Sequence, residues 1–359
     1  MKNRKTARIA SAAVACATLL ALSGCADKDA TATPDSAGGS GTTVVPDPDV
    51  NGDGKVIIGV LSPGDINDNG YYESFVTAAD EFAKEKGWTV IKRGNVPETE
   101  ALSAARALCQ QKVDMVALGA SELKDAIPAS EEAVCAKTAW YVPSSGNVQQ
   151  TPRIMLSTDD AAQSILTAGY AAGLMMEARG ATKAAFVAGM EVDFNINAST
   201  AFKAGVRSVL PDATVTTTYS GDQDDAAKAR EAVQAQMDQG AEVVYPYLGG
   251  STDAATTLAN SKNLITLTPG TDRCDSTEPK FDISVLYSPG DYLTEALRMF
   301  ADGKLELGVE KVWTIGKDPL PAIKLCKKDP EIQKKLDEFV EKIAKGEIDP
   351  DAEVERLGK

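Results

Sequence analysis

No histidine occurs anywhere in the 359 residues. A Ser-His-Asp triad, a Cys-His dyad, H-E-x-x-H zinc chemistry and imidazole acid–base catalysis are therefore closed to this chain. Carboxylates and lysines remain, but nothing in their spacing demands the facing carboxylate pair that a hydrolase would need. The polar residues gather instead in loops between apolar elements. In GVLSPGDINDNGYYESFVTAADEFA, from Gly59 to Ala83, an apolar strand runs into a loop of Pro, Gly, Asp and Asn. Such loops hold ligands in open α/β sheets, because strand C-termini and helix N-termini meet there with free backbone N–H groups. Binding is the expected chemistry.

The elements that position this loop follow from periodicity. Phe75, Ala78, Ala79 and Phe82 fall at i, i+3, i+4 and i+7 of a helix after the loop. The arrangement returns later, with strand Ala184–Ala188, a loop with Asn195 and Asn197, and a helix carrying Phe202, Gly205, Val206 and Val209. A further strand and helix follow in both copies, from Thr89 and from Thr214. The chain thus reads as a duplicated α/β half. Strands are expected at Val56–Leu61, Trp88–Arg93, Val113–Leu118 and Ala139–Val142, with helices Tyr71–Lys86, Glu98–Gln111 and Leu123–Ala136 between them. The first crossing between lobes is placed at Pro152–Thr158, and Ser157-Thr158-Asp159-Asp160 reads as the N-cap cluster of the next helix. Strand Ile283–Tyr287 is expected to return to the first lobe, where helix Pro289–Ala301 packs. Strand Lys311–Ile315 makes a third crossing and helix Pro330–Lys345 closes the fold. The lobes are then 55–155 with about 273–310, and 156–272 with about 311–359. Two such lobes make a cleft at the strand C-termini, as hinge-closing binding proteins do.

Ahead of this body, Lys2, Arg4, Lys5 and Arg8 precede the apolar run Ile9–Leu22, as in a signal peptide over 1–24. Leu22-Ser23-Gly24-Cys25 resembles the lipobox of bacterial lipoproteins, which implies acylation of Cys25 and anchoring on the outer face of the cell membrane. Residues 25–54, rich in Asp, Thr, Gly, Ser and Pro, read as a flexible tether. Asp49, Asn51 and Asp53 imitate a calcium loop, but Val60 stands where its twelfth-position Glu belongs, so a solvated turn is expected. Without the four cations of residues 1–24, 33 basic residues face 52 acidic ones, a formal −19 that argues against nucleic acid. No later run reaches the ~18 apolar residues of a membrane span. Cys16 and Cys25 apart, four cysteines remain, and an even count in an exported chain favours two disulfides with three possible connectivities. Cys109 and Cys135 end successive helices of one lobe, which pairs Cys109–Cys135 and leaves Cys274–Cys326.

With GYYESFVTAADEFAKEKGW, STDDAAQSILTAGYAAGLM, AGMEVDF…AFKAG, QGAEVVYPYLGGS and KIAKGEID in this order, residues 55–349 resemble the basic membrane protein family. These lipoproteins have a type I periplasmic-binding-protein fold, and the best-known bind purine nucleosides for ABC transporters. The resemblance implies a base held between aromatic rings, an edge read by Asn and Asp, and ribose hydroxyls held by Asp and Lys. Carried over, Asp65 and Asn69 lie in the first loop, and Tyr71 or Tyr72 supplies the first ring. Asp125 matches an aspartate at a helix start, and Phe194 or Phe202 supplies the facing ring. Gly249-Gly250 matches a close backbone approach, Asp272 matches the ribose aspartate, and Tyr287 stands where the family has a lysine. Phe202 also sits at core spacing, and Asp65 and Tyr72 also suit turn and packing roles. The implied partners are a nucleoside-like solute and an ABC permease, with the membrane met only through the lipid. No cofactor, metal or enzymatic activity is implied. A surface ligand sensor of the same fold is the alternative.

Overall fold

Chain pairing starts earlier than the tether suggests. The computed structural model describes residues 42–67, 71–144 and 148–359, so Cys25 and Asn69 lie outside the described residues. Strand β1 (Thr43–Val45) pairs antiparallel with β12 (Leu305–Leu307), and Val45 is buried. In the turn that follows, the Asp49 carboxylate accepts the N–H groups of Gly52, Asp53 and Gly54 at 2.8–3.0 Å. Asn51 donates to the buried Asp114 carboxylate at 2.8 Å. The expected tether over 25–54 is therefore corrected at its C-terminal end. Residues 43–54 belong to the fold, because their backbone is paired and Asn51 is docked.

The first lobe is a six-stranded parallel sheet. Its strands are β2 (Ile57–Leu61), β3 (Thr89–Arg93), β4 (Met115–Leu118), β5 (Ala139–Ser144), β6 (Met155–Asp159) and β13 (Val309–Trp313), in the order β13-β6-β5-β4-β2-β3. Strands covered on both faces read as continuous apolar runs, and β4, Met-Val-Ala-Leu, is buried throughout. Helix α1 (Tyr71–Lys86) has the expected bounds and buries Phe75, Val76, Ala79, Phe82 and Ala83. Helix α2 (Ala101–Gln110) follows a 3₁₀ turn. The helix expected over Leu123–Ala136 is instead 3₁₀ turns at Ser121–Glu131 and Ala133–Cys135. Pro128 lies inside, and proline removes a donor and clashes with the carbonyl four residues back.

The second lobe repeats the plan. Strands β7 (Lys183–Ala188), β8 (Thr214–Tyr219), β9 (Val243–Tyr247), β10 (Ile265–Gly270) and β11 (Ile283–Leu286) run parallel, with β14 (Ala322–Leu325) antiparallel at the edge. Their order is β14-β11-β10-β9-β7-β8. Helix α3 (Ala161–Arg179) crosses α4 (Asp193–Val209) closely, since a Cβ on Gly169 would strike the Phe202 carbonyl and one on Gly205 the Leu166 carbonyl. Helices α5 (Ala226–Asp238), α6 (Thr252–Asn260), α8 (Pro330–Ala344) and α9 (Pro350–Leu357) complete this lobe, while α7 (Pro289–Ala301) packs on α1 of the first.

The crossings fall elsewhere than expected. β6 pairs with β5 and β13 in the first sheet, so the chain leaves that lobe after Asp159 rather than within Pro152–Thr158. β11 is hydrogen-bonded between β10 and β14, so strand Ile283–Tyr287 stays in the second lobe, and the return comes at Tyr287–Ser288. The third crossing follows Trp313. Sheet pairing decides these assignments, and an apolar strand carries no mark of which sheet it will join. Both expected disulfides are present, with Cα–Cα distances of 5.1 Å for Cys109–Cys135 and 4.6 Å for Cys274–Cys326.

Candidate functional site

Each lobe leaves one aromatic ring in water near the start of the helix that follows its first strand. Tyr71 opens α1 and is 49% exposed; Phe194 is the second residue of α4 and is 56% exposed. The other rings of the same helices, Phe75, Phe82 and Phe202, are buried. Tyr72 meets Tyr71 edge-on, with centroids 5.4 Å apart. Burial first, then Asp159 and Glu122, push the pKa of the Tyr71 hydroxyl up.

Asp159 ends β6, and strand alternation places it on the same face as Ser157. The Ser157 hydroxyl is held by the Tyr141 hydroxyl at 3.1 Å and by Trp313 Nε1 at 2.9 Å. That face is the one covered by α1 and α7, since Phe75 packs on Tyr141 at 6.0 Å and Tyr292 on Trp313 at 5.4 Å. The Asp159 carboxyl is pushed up to about 6, by burial first, against its own backbone N–H, with the Asp160 charge adding. Asp159 also stands close enough to raise four tyrosines, at each of which burial is the larger cause. Three belong to the first lobe, Tyr71, Tyr141 and Tyr292, and the fourth is Tyr247 of the second. One carboxylate thus faces both lobes at the crossing.

On the second lobe's side, Tyr247 ends β9 beside Tyr245 at 5.7 Å and Tyr287 at 6.3 Å. Burial pushes Tyr247 up to about 12, with a hydrogen bond to Tyr287 opposing and Asp159 adding. Tyr287 packs against the cores of both lobes. Just beyond it, the Ser288 hydroxyl reaches that of Ser74 on α1 at 3.4 Å.

The carried-over residues divide between this cleft and the fold. Tyr71 stands beside Asp159, Tyr287 packs beside Tyr247, and Phe194 is exposed near the start of α4. Phe202 is wholly buried, 5.7 Å from Phe186 and 5.4 Å from Tyr245, on the core face of α4. It is corrected to a core residue. Tyr72 lies over Gly64, where a Cβ would collide with its ring. Asp65 is exposed and accepts from Asn67 N at 3.0 Å, closing an Asx turn. Asp125 is exposed on the 3₁₀ turns after β4. The Gly249 N–H donates to the Gln223 carbonyl at 3.1 Å and the Gly250 N–H to Asp224 Oδ1 at 2.6 Å, so both tie down the loop after β8. Asp272 accepts from Lys324 Nζ at 2.6 Å and from Cys274 N at 3.1 Å. Burial raises its carboxyl, but these partners outweigh it and hold the pKa below the usual carboxylate range.

Asp159 and Tyr247 were missed in the sequence. Asp159 was absorbed into a capping cluster, although Asp160 alone makes the cap, accepting from Ala162 N at 2.9 Å. That left one acidic residue of the four-residue run without a task. Tyr247 stands two residues before Gly249-Gly250, at the strand end where ligand-facing side chains collect.

Two parallel-sheet lobes joined by three crossovers, with aromatic side chains around the crossing, define a two-lobed solute-binding protein. The chain belongs to the PnrA-like family of ABC transporter substrate-binding proteins (Bmp), which it matches over residues 55–349. Among solved structures it is similar to an ABC transporter system solute-binding protein from Conexibacter woesei DSM 14684. That likeness has TM-score 0.66 at 19% identity, over 82% of this chain and 98% of the other. A solute-binding protein from Aeropyrum pernix K1 gives TM-score 0.58 at 18% identity, over 84% and 85%. A transcriptional activator of the comK gene from Bacillus halodurans gives 0.64 at 16%, over 80% and 96%. At these identities the likeness is one of fold. No curated protein matches the chain in sequence. Among the described residues no helix is long and apolar enough to cross a membrane.

Proposed function

We propose that this protein is a lipid-anchored extracytoplasmic receptor that closes on a purine-nucleoside-like solute and delivers it to an ABC importer. The observation that carries this reading is the pair of exposed rings, Tyr71 and Phe194, near the starts of α1 and α4, the helices that follow the first strand of each lobe. Closure would sandwich a base between surfaces that neither lobe offers alone, which makes affinity depend on the closed state. Stacking is worth roughly 1–3 kcal/mol per base and tolerates different bases. Asp272 would accept from sugar hydroxyls, with Lys324 beside it. The strongly acidic composition disfavours anionic nucleotides at long range.

Calorimetry with adenosine, guanosine, inosine and their free bases tests it. Nucleosides are expected to bind below about 100 µM, and Tyr71→Ala and Phe194→Ala each to weaken binding by about 5- to 100-fold. Binding of a simple sugar or amino acid, with none of the purines, would leave only the substrate-binding class standing. Binding unchanged in Asp272→Ala would remove Asp272 from the site.

A further inference from the structure

We propose that Asp159 is the specificity-determining group of the cleft, accepting hydrogen bonds from N–H donors on the edge of a base held between the lobes. The inference rests on the nucleoside reading above and adds to it the feature of the solute that this chain reads.

The position of Asp159 comes from β6. Alternation with Ser157 turns it to the α1 and α7 face, at the strand end where the chain leaves the first lobe. Its helix-capping role is already filled by Asp160. Its register partner across the sheet is Trp313, which offers no cation. Lys311, earlier on the same strand, is held by Asp318. Among the described residues no lysine or arginine forms an ion pair with Asp159. The groups that face it are Tyr71 from α1, Tyr141 from β5, Tyr292 from α7 and Tyr247 from β9, with Asp160 adjoining on its own strand end. Of these, the Tyr141 hydroxyl is committed to Ser157.

A partly buried carboxylate without a cation is costly, and it is tolerated where a partner arrives to satisfy it. An ionised carboxylate only accepts, so that partner must donate. Phosphates and carboxylates are excluded by charge. The surrounding rings suit a flat ligand, whose edge donors would then point at the crossing. Guanosine carries such donors on its base, and purine riboside, with the same sugar, carries none. Burial holds the carboxyl partly protonated near pH 6, and protonation turns one of its two oxygens into an O–H donor that no longer matches a pair of N–H donors.

The experiment is calorimetry of the full mature chain with guanosine and with purine riboside, from pH 5 to pH 8, on wild type and Asp159→Asn. Guanosine affinity is expected to fall about tenfold between pH 7 and pH 5 in wild type. In Asp159→Asn it should be at least about tenfold weaker at pH 7.5 and flat with pH. Purine riboside should bind more weakly than guanosine and show no pH slope. Thermal unfolding at pH 7.5 checks that the asparagine variant is folded. Equal pH slopes for the two ligands would mean that Asp159 reads the sugar, which overturns the inference while leaving the nucleoside reading intact. So would guanosine binding unaffected by Asp159→Asn. Binding of neither ligand at any pH would sink the nucleoside reading and this inference together.

Discussion

A carboxyl that burial pushes to about 6 also makes folding itself depend on pH. The unfolded chain loses the Asp159 proton near pH ~3.9, while the folded state keeps it to about 6. Stability from this group is full below about pH 4 and is lost as pH rises through 6. Ligand-free Asp159→Asn should therefore gain stability relative to wild type at pH 8, by at most about 3 kcal/mol, and little at pH 4. Calorimetric unfolding at both values checks this, and equal differences at the two would show that the carboxyl is not raised. The two phenylalanines of α4 make a second contrast at this scale. Phe202→Ala should cost about 3–5 kcal/mol of stability, because the ring fills the space between Phe186 and Tyr245. Phe194→Ala should stay within about 0.5 kcal/mol, since its ring already stands in water. Chemical denaturation separates the two, and similar losses would place Phe194 in the core.

Between elements, the close crossing of α3 and α4 depends on glycine. Gly169 and Gly205 sit where each helix meets the other's backbone, with no room for a methyl group. Gly205→Ala must separate the helices, and overpacking of this kind costs about 1–3 kcal/mol or more. A lowered denaturant midpoint with intact helical circular dichroism is the expected signature. The two disulfides act at the same scale. They close segments of 26 and 52 residues, and chain entropy predicts about 3.5 and 4 kcal/mol of stabilisation. Peptide mapping without reductant should recover Cys109–Cys135 and Cys274–Cys326. Four alkylatable thiols in the denatured, unreduced protein would contradict both.

For the whole molecule, three crossovers between two separately cored lobes suit a hinge-closing motion. Nucleoside binding is expected to reduce the radius of gyration in solution scattering, and an unchanged profile at saturation would argue against closure. The β1–β12 pair fixes where the folded body begins, near Thr43 rather than after Gly54. The proposed lipid anchor at Cys25 is tested by fractionation. Cys25→Ala should release the protein from the membrane fraction, and retention in high salt would refute the anchor.

The sequence by itself determined the two-lobed α/β plan, the α1 bounds, both disulfides and the family, because these rest on local periodicity, cysteine parity and ordered motifs. It also narrowed the candidate rings to Tyr71 or Tyr72 in one lobe and Phe194 or Phe202 in the other. Only the tertiary structure decided which sheet takes β6, β11 and β13, since an apolar strand pairs through backbone groups that every residue carries. It likewise separated Phe202 from Phe194. Both are phenylalanines on one helix, and the difference is which face meets Phe186 and Tyr245. Asp159 shows the limit most clearly. Its neighbours Tyr71, Tyr141, Tyr247 and Tyr292 are distant in the chain, and only folding brings their rings around one carboxylate.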